Sequence, residues 1–156
     1  MLDKEENIKS ELLAAFGYLD GRITIKRERR IWVDVSLDRF LEVFDFAVKK
    51  LHFGILCIIT GLDEGENLGF VYHIARDDGT VLNLHTTAPK TNPVIRSITE
   101  YFPAGHIYER ELVDLLGAKV EGLPPGPRYP LPDGWPEGQY PLRKDWGPEQ
   151  LDKKEG

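Results

Sequence analysis

The sequence predicts an α+β fold: an N-terminal helix, a β-β-α-β-β-β sheet domain with helices on one face, then short helices and an extended C-terminal tail rich in Pro and Gly. Three observations predict it. Apolar residues recur at helical spacing in two segments, and they alternate with polar residues in two others. Three further strand-like segments, rich in β-branched residues, follow. Two strands, a helix and three strands in this order indicate an α+β domain.

Two amphipathic helices are predicted in the first third of the chain. The first covers residues 5–16, with Ile8, Leu12, Leu13 and Phe16 on one side, and Gly17 is expected to end it in a left-handed conformation. The second begins after Ser36, a predicted N-cap, and ends before Gly54. Its apolar stripe lies opposite a charged face and consists of Leu37, Phe40, Leu41, Phe44, Ala47, Val48 and Leu51.

The predicted strands lie on both sides of the second helix. They are residues 22–26, 31–35, 55–61, 69–76 and 80–86. The basic run Lys26-Arg27-Glu28-Arg29-Arg30 is interpreted as the solvated tip of a first hairpin. Asp77-Asp78-Gly79 is typical of a second hairpin turn. The single cysteine, Cys57, falls in an apolar run and is predicted to be buried.

Two short helices, over residues 91–101 and 106–117, are predicted after the strands. No sustained periodicity follows, and eight of the 11 prolines lie in residues 121–156. That segment nevertheless keeps large apolar residues, in which disordered linkers are poor: Tyr129, Leu131, Trp135, Tyr140, Leu142 and Trp146. We therefore expect a folded domain over 1–117 and an extended tail over 118–156 that wraps a partner subunit, and we expect the domain to fold without that tail.

Composition excludes several classes of protein. The formal net charge of −6 opposes sequence-independent binding to nucleic acid. The longest aliphatic run has five residues, too few to span a bilayer, and the acidic N-terminus lacks the features of a signal peptide. One cysteine permits neither an internal disulfide nor a thiolate-ligated cluster. A low content of Asn, Gln, Cys and Met beside 29% charged residues favours a thermophile.

The sequence offers little support for catalysis on this chain. Glycines 61, 65 and 69 are separated by acidic residues that would repel phosphate, and no serine lies in a nucleophile elbow. His73 and His85 are expected on adjacent strands, but two nitrogens without a third ligand make a poor metal site. No catalytic, cofactor or metal residue is therefore assigned. A small metal-dependent enzyme that uses the two histidines is kept as a minor alternative.

Three motifs occur in order near the end of the chain. The first, on the predicted helix 106–117, is Glu109-Arg110-Glu111 continuing to Asp114-Leu115-Leu116-Gly117, with Arg110 and Asp114 expected as an exposed i,i+4 ion pair. The second is Leu131-Pro132-Asp133-Gly134-Trp135. The third is Pro141-Leu142-Arg143-Lys144-Asp145, followed by Trp146.

This ordered set resembles the 30-kDa subunit family of respiratory complex I and its relatives among membrane-bound, energy-converting hydrogenases. The resemblance covers most of residues 20–146. It implies an accessory subunit, without a cofactor of its own, on the cytoplasmic side of the cell membrane. The implied partners are a large subunit and an iron–sulfur small subunit, which would hold the iron–sulfur clusters and, in a hydrogenase, a NiFe centre. The implied partner-binding residues are Glu109, Arg110, Glu111, Asp114, Gly117, Arg128, Trp135, Pro141, Leu142, Arg143, Lys144, Asp145 and Trp146.

One departure from the family pattern bears on the kind of complex. Quinone-reducing members carry Gly-His-Pro and paired arginines, whereas this chain has Gly122-Leu123-Pro124 and only Arg128. The resemblance then favours a hydrogenase that couples ferredoxin oxidation to hydrogen evolution and ion translocation. The alternatives are the equivalent subunit of an NADH- or ferredoxin:quinone or a sulfur-reducing complex. A free-standing module whose residues 124–132 form a polyproline II ligand is a further alternative.

Overall fold

The computed structural model describes residues 1–152 and has the predicted α+β architecture. Five strands form a mixed sheet in the order β1-β2-β5-β4-β3, where β2 is antiparallel to β1 and parallel to β5, and β6 and β7 form a small second sheet. The elements are α1 (Asp3–Ala15), β1 (Ile23–Arg27), β2 (Arg30–Asp34), α2 (Phe40–Lys49), β3 (Ile55–Asp63), β4 (Asn67–Ala75), β5 (Val81–Pro89), β6 (Val94–Arg96), α3 (His106–Leu116) and β7 (Lys119–Glu121).

The chain divides by its contacts into two compact units. The first contains residues 1–60 and 70–87, and the second contains residues 61–69 and the chain from residue 88 onward. The segment after residue 117 therefore belongs to the same unit as α3. The predicted domain boundary after residue 117 separated the two. No helix among residues 1–152 is long and apolar enough to cross a membrane.

In the first unit, α1 anchors the basic hairpin tip. Glu5 is buried on α1, and its Oε1 accepts the backbone N–H of Arg29 at 2.7 Å. Arg29 has a φ of 60°, a left-handed conformation that this bond helps to hold. Gly17, expected to end α1 in that conformation, instead begins a short 3-10 turn.

The core of the first unit is built around α2. Phe40 and Phe44 pack on Tyr72 of β4, with ring centroids 4.6 and 5.8 Å away, contacts of the kind that add about 0.5–1.5 kcal/mol beyond burial. Ser36 makes no side-chain capping bond, and a 3-10 turn over Leu37–Arg39 precedes the helix. The helix ends at Lys49 rather than at the predicted exit, Gly54, and His52 takes the left-handed conformation with a φ of 62°.

The outer strand β3 corrects the prediction for Cys57. The sheet order places β3 at an edge, where one long side of the strand has no neighbour in the sheet. Cys57 on this strand is exposed rather than buried, and Ile55 and Ile58 beside it are also exposed. An apolar run predicts a buried strand only where other elements cover it, and the sequence does not indicate where β3 lies in the sheet.

The two histidines considered as a metal pair belong to separate hydrogen-bond sets in the sheet. His73 Nδ1 lies 2.6 Å from Asn83 Oδ1, which only accepts, so Nδ1–H donates this bond, and Nε2 lies 2.9 Å from Thr60 Oγ1. His85 Nδ1 lies 2.8 Å from Asp34 Oδ1. Within residues 1–152 there is no group of three or more His, Cys, Asp or Glu side chains able to hold a metal ion.

The second unit contains a strand where a helix was predicted. Residues 94–96 form β6, which pairs in parallel with β7, with Ile95 opposite Val120. Ile95 is buried. The β-branched pair Val94-Ile95 suits this extended backbone, and the pairing with residues more than twenty positions later could not be read from the local pattern.

Candidate functional site

The motif-bearing segment after α3, which we call the strap (residues 122–146), is bonded to the C-terminal half of that helix. Arg128 Nε donates to Asp114 Oδ1 at 3.1 Å, and the N–H of Leu131 donates to Asp114 Oδ2 at 3.0 Å. Further along, the N–H of Leu142 donates to the carbonyl of Leu115 at 3.0 Å. The strap therefore lies on this chain's own helix at both of its ends.

The last turn of α3 is completed by strap residues. Gly117 ends the helix with a φ of 77°, and a Cβ added there would lie 2.5 Å from the ring of Tyr140. Arg143 stacks on that ring, its Cζ 4.7 Å from the centroid, and its Nε donates to the carbonyl of Leu116 at 2.7 Å. Carbonyls at a helix C-terminus lack intrahelical partners. Here Leu142 and Arg143 of the Pro-Leu-Arg-Lys-Asp motif supply the missing hydrogen-bond donors.

Glu109, one of the partner-binding residues that the resemblance implies, does not lie on the surface of the chain. The side chain is fully buried, its Oε1 accepts the N–H of Ile98 at 2.7 Å, and its Oε2 accepts Ser97 Oγ–H at 2.7 Å. Burial raises the pKa of the Glu109 carboxyl, against the opposing effect of the two hydrogen bonds. Glu109 therefore fixes the loop before α3 to the helix.

The expected ion pair between Arg110 and Asp114 is replaced by two other contacts. Asp114 is buried and pairs with Arg128, while Arg110 Nη2 donates to the carbonyl of Pro124. The guanidinium of Arg110 also lies against Gly126, where an added Cβ would be 2.7 Å from its Cζ. The first motif thus holds the start of the strap rather than forming a pair along the helix.

A buried carboxylate at the end of β3 holds the last motif in place. The side chain of Asp63 is 1% exposed and accepts three donors: Gly65 N at 2.9 Å, Lys90 Nζ at 2.7 Å and the backbone N–H of Lys144 at 2.8 Å. Lys90 also lies 3.3 Å from Asp145. The hydrogen bond from Lys90 holds the pKa of Asp63 well below its usual range, despite the opposing effect of burial. We call this group the Asp63 cluster.

Sequence reasoning missed the Asp63 cluster. Its carboxylate meets Lys90 and Lys144 at separations of 27 and 81 residues. Residue 63 falls in the acidic stretch between the predicted strands 55–61 and 69–76, and nothing in that local pattern distinguishes Asp63 from its neighbours. The structure extends β3 to Asp63, two residues beyond the predicted end of the strand.

The two tryptophans of the strap are joined through one glutamine. Trp135 Nε1 donates to the carbonyl of Gln139 at 2.8 Å, Trp146 Nε1 donates to its side-chain Oε1 at 2.6 Å, and the two rings lie 5.8 Å apart. Arg128 Nη1 reaches the carbonyl of Trp135 at 2.8 Å. These contacts give the strap an ordered fold of its own without a regular helix or strand.

The remaining predicted partner-binding residues have surface area available. Glu111 and Pro141 are half-buried, whereas Leu142, Lys144 and Asp145 have exposed side chains. The exposed side chains of Leu142, Lys144 and Asp145 therefore remain a predicted partner surface. The backbone of the third motif and the side chain of Arg143 instead form hydrogen bonds within the chain.

Residues 33–151 match the family described as "Respiratory-chain NADH dehydrogenase, 30 Kd subunit". The chain belongs to this family. The match covers all three motifs and confirms the resemblance predicted from them. In this chain, residues of the three motifs also fasten the strap to α3.

Relatives of this chain are named as subunits of several complexes. It is 35% identical over 170 residues to the membrane-bound hydrogenase subunit beta of Pyrococcus furiosus, which covers 99% of this chain and 94% of the relative. It is also 35% identical, over 120 residues, to one of the subunits of the F420H2 dehydrogenase of Methanosarcina mazei, covering 75% of each. The Pyrococcus relative fits the thermophile composition predicted above.

A solved structure confirms the fold. In the membrane-bound sulfane sulfur reductase, an archaeal respiratory membrane complex, one chain superposes with a TM-score of 0.81 and 26% identity, covering 97% of this chain and 90% of the other. These relatives are components of multisubunit complexes. A role as a subunit beside partner subunits follows for this chain.

Proposed function

We propose that the chain is a non-catalytic assembly subunit of the cytoplasmic arm of an energy-converting hydrogenase, which couples ferredoxin oxidation to hydrogen evolution and ion translocation. The observation that carries the proposal is the nearly end-to-end match, at 35% identity, with a membrane-bound hydrogenase subunit beta. The missing Gly-His-Pro element and second arginine before Tyr129 agree with this choice.

The partners in this proposal are a large subunit and an iron–sulfur small subunit. They would hold the NiFe centre and the iron–sulfur clusters, while this chain holds its neighbours in register. The anchored strap supports such a role, because a surface that is ordered before binding loses less conformational entropy in the complex. The same anchoring disfavours a free polyproline ligand, since Arg110 binds the Pro124 carbonyl and Asp114 binds Leu131 N.

A second candidate is the equivalent subunit of a sulfane-sulfur-reducing complex. The superposition on a chain of the sulfane sulfur reductase, with a TM-score of 0.81, favours it. The two candidates place this chain in the same structural role and differ in the chemistry of the partner that holds the catalytic metal.

Affinity purification of the tagged chain from its native membranes in mild detergent tests both candidates. A hydrogenase is expected to co-purify a large subunit and an iron–sulfur subunit, to contain nickel, and to evolve hydrogen from reduced ferredoxin. Recovery of a nickel-free complex that reduces sulfane sulfur would select the second candidate. A chain that is recovered alone from intact membranes would contradict the subunit role in either form.

A further inference from the structure

A groove lies between the first half of α3 and the beginning of the strap, entirely within the second unit. Its volume is about 690 Å³. Its apolar lining consists of Pro103, Ile107, Pro124, Pro125, Pro127 and Tyr129. Asp114, Leu115 and Leu116 bind the strap further along α3. Arg110, which binds the Pro124 carbonyl, also lines the groove.

Two large apolar side chains at the groove are exposed. Ile107 is 43% exposed on α3, and Tyr129 is 47% exposed on the strap. Prolines and an aromatic ring form a lining with few rotatable bonds, which loses little conformational entropy when it is covered. Tyrosine and arginine are also the residue types that most often dominate the binding energy of interfaces.

Arg110 gives the groove a cation held in a defined position. Its guanidinium is fixed by the Pro124 carbonyl and by contact with Gly126. A guanidinium has five N–H donors in a planar fork, so donors remain for a carboxylate after the bond to Pro124. Arg128 and Glu100 also line the groove, and the charge of Arg128 is balanced by Asp114. The Arg110 guanidinium beside the apolar lining is locally complementary to an apolar occupant that carries a carboxylate.

We propose that this groove binds an apolar segment of another subunit of the same complex, and that an Asp or Glu of that segment pairs with Arg110. The inference rests on the proposed function, because it takes its occupant from the proposed complex. It adds a particular binding surface and the chemistry of the segment that occupies it.

The first test replaces Ile107 by aspartate in the full tagged chain, expressed in its native cells. I107D places a second carboxylate opposite that of the partner segment, so we expect about a tenfold or greater loss of partner subunits per tagged chain after mild solubilisation. L37D is the matched control, because Leu37 is an apolar residue of the first unit with 36% exposure. If I107D recovers as much of the partner subunits as the wild type does, the proposed binding role of the groove is wrong, while the proposed function is unaffected.

The second test keeps the surface apolar and aromatic, so that it does not depend on how I107D folds. A photoreactive benzoylphenylalanine at Tyr129 is expected to cross-link, in the assembled complex, to a peptide of one other subunit that contains an Asp or Glu among apolar residues. The same probe at Tyr18, 40% exposed in the first unit, serves as the control. An intact complex with no cross-link from position 129, or with one only to a second copy of this chain, would overturn the proposal. Wild-type chain recovered alone would overturn it together with the proposed function.

Discussion

Two carboxylates of the second unit, Glu109 and Asp63, are held by different interactions. Glu109 is bonded to a backbone N–H and a hydroxyl, and burial raises the pKa of its carboxyl. Asp63 is bonded to an ammonium and two backbone N–H groups, and the Lys90 ammonium lowers its pKa. At neutral pH the ionised form of Glu109 therefore opposes folding, whereas the ionised form of Asp63 favours it.

Removing the Glu109 side chain should destabilise the chain because it leaves a buried donor without a partner. We expect E109A to lower the free energy of unfolding by about 1–3 kcal/mol, since Ile98 N–H loses its acceptor. E109Q should stay within about 1 kcal/mol of the wild type, because the amide oxygen still accepts from Ile98 and its NH2 can donate to Ser97. Urea unfolding at pH 7 measures both. Equal stability of the alanine and glutamine variants would contradict this role.

Changing Asp63 to asparagine should produce a pH-dependent loss of stability. The folded pKa of Asp63 is depressed, so its contribution is present above its ordinary pKa of about 4 and is lost as the pH falls through the folded value. We expect D63N to unfold at a lower urea concentration than the wild type at pH 7, with the gap shrinking below about pH 4.

A matched control for D63N is D133N, because Asp133 is an exposed aspartate of the strap. It should have nearly the same urea midpoint as the wild type at both pH values. A D63N gap that persists unchanged down to pH 3 would show that the ion pair with Lys90 is not its source.

At the level of elements, α3 and the strap depend on each other. The helix supplies Asp114 and the carbonyls of Leu115 and Leu116, and the strap supplies the donors that satisfy them. The buried Asp114 carboxylate receives Arg128 Nε and Leu131 N together.

Ending the chain after Gly117 should therefore destabilise the second unit. The truncation leaves the Asp114 carboxylate without its two donors and removes Lys144 from Asp63. We expect the free energy of unfolding to fall by about 3 kcal/mol or more, from several lost hydrogen bonds of about 1 kcal/mol and one unsatisfied charge. Thermal unfolding of the purified chains measures it. An unchanged melting temperature would mean that the domain folds without its tail, as the sequence led us to expect.

The elements predicted correctly are those with a strong local pattern. α2 follows its apolar stripe, and the two early strands follow their alternation to within a residue or two. The failures, β6 and the burial of Cys57, depend on which element lies alongside. A strand three residues long is stabilised by its partner, and the exposure of a strand side chain depends on whether another element covers it.

The site was predictable as a set of residues but not as a set of contacts. The order of the motifs identifies the family, and the motif residues Glu109, Asp114 and Arg143 each make a defined hydrogen bond within the chain. Their partners, however, are Ile98, Arg128 and Leu116, at separations of 11, 14 and 27 residues along the chain. Helical spacing predicted only an i,i+4 pair between Arg110 and Asp114. Partners that are distant in the sequence cannot be identified from a local pattern.

For the whole molecule, the family motifs serve two purposes, and the sequence alone does not show which residue serves which. Their buried and bonded atoms organise the second unit, and their exposed atoms, such as the side chains of Leu142 and Asp145, remain on its surface. A substitution in a motif can therefore impair assembly either by unfolding the second unit or by removing a contact with a partner. Measuring the stability of the isolated chain beside the yield of the complex separates the two.

The separation of 81 residues between Asp63 and Lys144 has a consequence for biosynthesis. A ribosome releases the N-terminal end of a chain first, at about 5–20 residues per second, so Asp63 emerges several seconds before its last donor. The contact between Asp63 and Lys144 forms only after residue 144 has been translated, and a chain that stops before it never makes this contact. Partner subunits that recognise the closed unit would thus incorporate chains that include Lys144 in preference to shorter fragments.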